Sequence, residues 1–311
     1  VAAAGWTLAN LGSSPAVATL LPPEGAREYA DSPLRVVAGT IRPTGRAMPT
    51  EGGYMLSGRW SLLSGCHFPD WLGLAAFAFE GDAPRMAAEG VPDLRQLMVR
   101  REDCQILDTW YSLGMRGTGS TDVVVENLFV PEHRTFSFFI AQPQVGGPLY
   151  KVGVLSLFSM SLTSVLLGIA RRAIDTFVEL ASGKVPTLSQ SALSSRPTVH
   201  AEVARAEALL QSARSFLYSS ANEVMQALRN GGSVPDDIEA RRRLACVNAA
   251  ESCKAAVDKV FALAGTSPIY SGHPLEQCLR DIHTAGQHLV VSPAWWEKTG
   301  QHYFGQGLGM P

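Results

Sequence analysis

The chain has 311 residues, 46% of them hydrophobic and 17% charged, with a net charge of −2. That length buries a sizeable core and fits one large or two ordinary domains. The near-neutral balance gives no electrostatic basis for a nucleic acid or an acidic membrane as partner. The charged share falls below the usual value of about 25%, so part of the surface is expected to lie in subunit interfaces. The five cysteines (Cys66, Cys104, Cys246, Cys253 and Cys278) are odd in number and lack CxxC spacing. That pattern argues against a disulfide framework and against a zinc site, and it points to a reducing cytoplasm. No apolar run reaches the ~18 residues of a membrane span. The longest, Val152 to Ala170, is broken by Gly, Ser and Thr and reads as a buried helix. The opening Val1-Ala2-Ala3-Ala4-Gly5-Trp6 has no initiator Met and no signal-peptide charge pattern, and it reads as the interior of a helix. The numbering is therefore expected to begin inside a longer protein.

In chain order, residues 1–33 are Ala/Leu-rich and carry Ser13-Ser14-Pro15 and Leu21-Pro22-Pro23-Glu24 as helix-start signals, which predicts two or three short helices. Residues 34–136 carry strand signals. Tyr54 to Trp60 follows the turn pair Gly52-Gly53, and Trp71 to Phe79 is a continuous apolar run. Leu94 to Arg100 and Thr121 to Val130 add two strands, the latter alternating imperfectly, as at a bulge. A small β-barrel or sandwich follows. Residues 150–291 have helical periodicity. Phe158, Leu162, Val165, Ile169, Ala173 and Phe177 mark one helix, and Val203, Leu210, Leu217 and Val224 recur every seven residues on a second. Cys246, Ala249, Cys253 and Ala256 set a stripe of small residues on a third, and Pro274 opens a fourth that is expected to run towards Val291. Ser182-Gly183 and Gly231-Gly232 mark helix ends. A four-helix bundle results, with Ser189 to Ser195 as a loop and 292–311 as a tail.

The order of short helices, β-domain and bundle resembles the acyl-CoA dehydrogenase superfamily, and four motifs make the match specific. Val37 to Ala47 is similar to that family's first flavin-contacting strand and loop. Gly53 to Gly65 with Asp70-Trp71 resembles the next, and Leu113-Gly114-Met115-Arg116-Gly117-Thr118-Gly119-Ser120-Thr121-Asp122-Val123 with Val130-Pro131 the third. Leu279-Arg280-Asp281-Ile282-His283 with His288 resembles a helix of the monooxygenase branch. Acyl-CoA dehydrogenases carry a catalytic carboxylate, commonly in a Glu-Gly-Thr stretch, shortly after the Arg-Asp pair, and this chain has His288 in that region instead. It is therefore similar to the two-component flavin-dependent monooxygenases, such as 4-hydroxyphenylacetate hydroxylase oxygenase components and dibenzothiophene monooxygenase.

The resemblance implies an α+β fold of the acyl-CoA dehydrogenase type. It implies reduced FMN or FAD supplied by a separate reductase, molecular oxygen, and a small, aromatic substrate oxygenated through a C4a-peroxyflavin. It also implies a homotetramer and further helices before Trp6. By resemblance, Ser64 is the first choice for contact with the flavin ring, with Gly65 allowing close backbone approach; a plain turn is the other reading. Gly39 and Thr40 are assigned to the ring edge, and Thr266 and Ser267 to a flavin phosphate unless they form only a helix cap and turn. Arg280 is assigned to cofactor binding. His288 is assigned to catalysis, on the expectation that Asp281, Thr284 and His288 share one helix face and that the imidazole titrates near neutrality; a histidine packed in a helix interface is the other reading. Lys184 and Arg196 read mainly as solvated charges, Arg116 as part of an ion pair, and Trp71 as core. An FAD-dependent dehydrogenase, with Glu276 or Asp281 as base, and a degenerate non-catalytic family member remain the alternatives. Nothing resembles a dinucleotide-binding glycine motif.

Overall fold

The computed structural model describes residues 1–309. Two compact units result, and neither follows one continuous stretch of sequence. Thr7–Tyr111 with Arg116–Val154 form a β-rich unit; Val1–Trp6, Ser112–Met115 and the chain from Leu155 onward form a helical unit. The expected boundaries at 34–136 and 150–291 therefore shift. Residues 7–33, read from sequence as the remainder of an N-terminal helical domain, and residues 137–154 belong to the β-rich unit, and a four-residue turn, Ser112–Met115, between two strands belongs to the helical one.

Three helices open the chain: α1 (Ala2–Ser13), α2 (Pro15–Ala18) and α3 (Pro23–Ala30). Proline stands in the first turn of α2 and α3, where its missing N–H removes a donor that has no intrahelical partner. Ten strands follow: β1 (Val37–Thr50), β2 (Gly53–Leu63), β3 (Trp71–Glu80), β4 (Ala83–Pro84), β5 (Met86–Ala88), β6 (Val91–Pro92), β7 (Leu94–Arg100), β8 (Gln105–Leu107), β9 (Thr121–Pro131) and β10 (Thr135–Ser137). The main sheet runs β10-β7-β3-β1-β2-β9-β8, with β4 pairing off β3 and β5-β6 forming a separate ribbon. β1 and β3 run parallel, and the other pairs of the main sheet are antiparallel. The bulge expected in 121–130 is present as register shifts at Leu56/Gly58 and Trp60/Leu63 against β9. Leu72, Leu74, Leu97 and Val99 share one buried core with Trp60, Leu63, Val123 and Val125. Three strands separate β7 from β9 along that path, so the sheet curls to give both the same interior face. Trp60 is fully buried and its indole N–H donates to the Ala75 carbonyl at 2.7 Å, so the large ring enters the core with no unmet donor.

The helical unit contains α4 (Val154–Gly183), α5 (Pro197–Arg229), α6 (Asp236–Leu263), α7 (Pro274–Ala285) and α8 (Ala294–Tyr303). The small stripe on α6 is buried throughout, so close packing rather than bulk defines that helix. Inside the bundle Arg242, 4% exposed, is paired to Glu239 at 2.7 Å and donates to Ser159 Oγ of α4 at 2.5 Å.

Three expectations are corrected. α7 is short: it ends at Ala285 with Gly286 as C-cap, and a separate 3-10 turn, Leu289–Val291, follows. The tail is not featureless, because α8 packs on α6 through a Trp296 Nε1–Glu251 hydrogen bond of 2.7 Å and the Arg243 guanidinium over Trp295. Finally, α4 is long and apolar enough to cross a membrane by length and composition, with mean hydropathy 1.6 in its most apolar window. Only 39% of that window is buried, so α4 is not the mostly buried core helix that the sequence suggested.

Candidate functional site

In the β-rich unit, β2 ends in an abrupt turn. Leu62 has φ 66 although it is not glycine, and it is exposed. Such a left-handed leucine is uncommon, and strain of this kind concentrates where a chain is held for a purpose. Ser64 and Gly65 follow. The Gly65 N–H donates to the Thr118 carbonyl at 2.8 Å, and Gly65 itself has φ +75. Ser64 is nearly buried, and its Oγ lies 2.7 Å from Ser120 Oγ, which lies 2.6 Å from Thr118 Oγ1. Three hydroxyls thus form a continuous chain, joining the second and third motifs of the sequence. Cys66 adds a contact of 3.1 Å to Thr121 Oγ1. The donor set is uncharged and can both donate and accept, which suits the amide-like polar edge of a flavin ring rather than a metal or a phosphate. Thr118 and Ser120 went unremarked as individual residues in the sequence, although the Gly-Thr-Gly-Ser stretch that carries them is visible there.

Gly39 and Thr40 belong to a different strand pair of the same unit. Gly39 stands opposite Gly73 in β3, and a Cβ there would lie 2.6 Å from the Gly73 carbonyl oxygen. Close strand approach therefore already explains the glycine. Thr40 is the last paired residue before a register shift to Gly45. Its Oγ1 accepts the Arg42 N–H at 3.1 Å, which uses a lone pair and leaves the O–H able to donate. Beside it, the buried Gln96 amide donates to the Thr40 carbonyl at 3.5 Å while its own Oε1 has no partner. An unmatched buried acceptor next to a predicted ligand position also fits a group that carries N–H donors. Trp71 is core, as expected, with Arg100 stacked 3.9 Å from its ring.

In the helical unit the remaining residues have separate partners. Thr266 is exposed and precedes the 3-10 turn Ser267–Ile269. Lys184, read from sequence as a solvated charge, instead donates to the Ala264 carbonyl at 2.5 Å and to Ser267 Oγ at 2.7 Å. The helix cap is therefore real, and it places an ammonium beside the two hydroxyl residues. Two of the three ammonium donors are engaged, which leaves one for an incoming oxyanion. No spacing rule links residues 184 and 267, so only folding shows this pair.

Arg280 does not pair with Asp281. Its guanidinium is bound by Glu276, with Nη2 donating to Oε2 at 3.0 Å, and Nη1 donates to the Leu113 carbonyl at 2.9 Å. Asp281, 4% exposed, accepts the Met115 N–H at 2.6 Å. The two carboxylates that a dehydrogenase would need as base are thus both committed to structural partners.

His288 lies outside α7, so the shared helix face with Asp281 and Thr284 does not exist. It caps the 3-10 turn, its Nδ1 accepting the Val290 N–H at 3.3 Å. Its ring meets buried Trp6 edge to face, at 5.4 Å between centroids and 70°. The ring keeps an exposed side, yet the protein crowding its other sides removes enough hydration to push the pKa from 6.5 down to about 4. Water at the open side works against that shift. The direction stands independently, because Nδ1 serves as an acceptor and so carries no proton. At pH 7 the imidazole is neutral, with its proton on Nε2. It is a hydrogen-bond donor there, not the near-neutral acid expected from sequence.

Comparison with known proteins adds the following. Residues 160–293 match the family model described as acyl-CoA dehydrogenase, C-terminal domain. The chain is 34% identical over 307 residues to an indole-3-acetate monooxygenase of Pseudomonas putida, covering 97% of this chain and 76% of that protein. It is 27% identical to the FADH(2)-dependent resorcinol hydroxylase, oxygenase component, of Rhizobium sp., covering 96% and 75%. Among solved structures it is similar to XiaF from Streptomyces sp. in complex with FADH2 and glycerol, with a TM-score of 0.89 and 26% identity over 100% of this chain and 79% of that one.

Proposed function

The chain belongs to the acyl-CoA dehydrogenase superfamily, in its branch of two-component flavin-dependent monooxygenases, and we propose that it oxygenates a small aromatic carboxylate of the indole-acetate type. The enzyme is a flavin-dependent oxidoreductase of the monooxygenase kind. The observation that carries the substrate reading is the 34% identity to an indole-3-acetate monooxygenase along nearly the whole chain. A separate reductase delivers the flavin, reduced FMN or FAD, to this chain. Bound reduced flavin supplies the electrons with which one atom of molecular oxygen enters the substrate while the other leaves as water.

The chain's own residues then have distinct tasks. The Ser64–Ser120–Thr118 hydroxyl chain orients the polar edge of the ring and holds a proton there by exchange along the chain. Gly65 keeps the backbone low at that turn, and Gly39 with Thr40 lines the ring edge next to the unmatched Gln96 oxygen. Lys184 with Thr266 and Ser267 takes a flavin phosphate. Arg280 serves cofactor binding indirectly, by holding Leu113 rather than by touching the cofactor. His288, neutral with Nδ1 engaged by the Val290 N–H, keeps Nε2–H as a donor for an oxygen atom. A homotetramer is part of the proposal, and the uncovered apolar surface of α4 supports it. So is a reducing cytoplasm, which agrees with five free thiols.

The test couples the protein to an NADH-dependent flavin reductase, with FMN or FAD and ¹⁸O₂, and presents indole-3-acetate, resorcinol and simple phenols. One ¹⁸O in the product of indole-3-acetate supports the proposal, and oxygenation of resorcinol or the phenols alone would overturn its carboxylate part. Bound flavin with only hydrogen peroxide formed on every aromatic, and flavin bleaching by acyl-CoA under anaerobic conditions, would overturn it.

A further inference from the structure

We propose that Arg42 is a specificity-determining residue whose guanidinium receives the carboxylate of an arylacetate substrate at the margin of the flavin ring. Arg42 takes this role on the reading that Thr40 and Ser64 meet the ring and that the substrate is an aromatic carboxylate. β1 breaks its pairing at this point. Its parallel ladder with β3 runs from Thr40 opposite Leu74 straight to Gly45 opposite Ala76, so Ile41–Thr44 bulge out against Ala75 alone. The ladder with β2 begins only at Arg46 opposite Ser57. A bulge of this kind re-aims side chains, and Pro43 within it has no N–H to give a ladder. Arg42, Pro43 and Thr44 are all exposed.

Side-chain bonds fix the bulge in place of the missing ladder. Arg42 donates its backbone N–H to Thr40 Oγ1 at 3.1 Å and its Nη1 to Ser61 Oγ at 3.4 Å. Thr44 Oγ1 donates to the Arg59 carbonyl at 2.7 Å. Thr40 belongs to one segment read as meeting the ring, and Ser61 stands three positions before Ser64 in the other. Arg42 is thus tied to both. Its charge is also uncommitted, unlike that of its neighbours. β1 and β2 carry three arginines. Arg59 is taken by Asp122 at 2.6 Å, and Arg46 stacks 3.8 Å over Phe79 with Asp82 at 3.9 Å. Among the described residues Arg42 meets no carboxylate and no aromatic ring. Its guanidinium meets a neutral hydroxyl, so most of the donor fork stays free for an oxyanion. An arylacetate fits that placement. Its ring must lie beside the flavin, and its carboxylate, one methylene away, then reaches the margin of the ring contacts rather than the core, where a guanidinium without a partner would be unfavourable.

The experiment titrates wild type, Arg42→Gln and Arg42→Lys by calorimetry without oxygen and with saturating reduced FMN or FAD bound, so that binding is read without turnover. The probes are indole-3-acetate and indole-3-acetamide, which has the same shape and no charge. FMN and riboflavin are titrated separately. Arg42→Gln should weaken indole-3-acetate binding by about tenfold or more and indole-3-acetamide binding by less than about threefold. Arg42→Lys keeps the charge without the fork, and its loss for indole-3-acetate should be the smaller one. FMN and riboflavin should each stay within about threefold of wild type. Equal losses for the acetate and the amide, or no loss for either, would overturn the role of Arg42 while an arylacetate substrate stands. Loss of FMN affinity with riboflavin and indole-3-acetate unaffected would give the guanidinium to the flavin phosphate and overturn the proposal. Wild type that binds flavin but neither indole compound would overturn the substrate reading itself, and the role of Arg42 with it.

Discussion

Replacing Gly65 with alanine tests whether the Ser64 turn is built as tightly as its geometry states. Two effects add. At φ +75 an alanine takes on left-handed strain of roughly 1–2 kcal/mol. Its Cβ would also lie 2.8 Å from Thr7 Cγ2, with Leu11 Cδ1 at 3.6 Å behind it. Thr7 is short and β-branched, so it cannot swing aside, and α1 must give way, an overpacking cost of about 1–3 kcal/mol. The sum is about 2–5 kcal/mol, set against a total stability of roughly 5–15 kcal/mol. Gly90→Ala is the control: its φ is +70 but nothing lies within 4 Å of the added carbon, so strain acts there alone. Urea unfolding followed by tryptophan fluorescence measures both variants. Gly65→Ala should lose clearly more than Gly90→Ala, and its movement should also loosen the Gly65–Thr118 bond and weaken flavin binding. Equal losses in the two variants would refute the close contact with α1, and no loss in either would refute the left-handed geometry.

Three further outcomes follow from the same structure. Because the His288 pKa is lowered, the unfolded chain binds the extra proton first, so this group's contribution is complete above pH 6.5 and is lost as pH falls towards about 4. The ring's exposed side reduces the effect by solvent screening to about 1 kcal/mol. His288→Asn, which can still cap through its side-chain oxygen, should flatten that slope in urea unfolding between pH 7.5 and 5; an identical slope contradicts the lowered pKa of this ring. Lys184→Met should weaken FMN binding about tenfold, equivalent to ~1.4 kcal/mol, while riboflavin binding stays unchanged; equal losses for both would remove Lys184 from the phosphate site. Arg242→Met leaves Glu239 and Ser159 without their buried partner and should destabilise the protein by about 3 kcal/mol, read from the urea midpoint; a loss below ~1 kcal/mol would mean that Arg243 alone satisfies Glu239.

The parts of this molecule that could be read from sequence are those governed by short-range rules. β7 spans Leu94–Arg100, the strand read there from sequence, and the ends of α4 and α5 fall at the glycines. α8 could have been found the same way. Ser292-Pro293 before Ala-Trp-Trp-Glu repeats the signal that located α2, but it lies beyond the last expected helix. The end of α7 had a weaker sign. Gly286 keeps a right-handed φ of −66, so it gives no left-handed stop, and the apolar residues after it continue a helical spacing that the backbone abandons. This one break moves His288 from a helix face to a cap, which changes its protonation and hence its chemistry. The contacts between distant residues are of another kind. Lys184 with Ser267 and Asp281 with Met115 join positions 83 and 166 residues apart. Pattern rules act over one or two turns, so they cannot show which charge meets which backbone group across such gaps. The candidate site residues were therefore legible as motifs, whereas the bonds that brace them and the hydroxyl chain that joins two motifs depend on the folded chain.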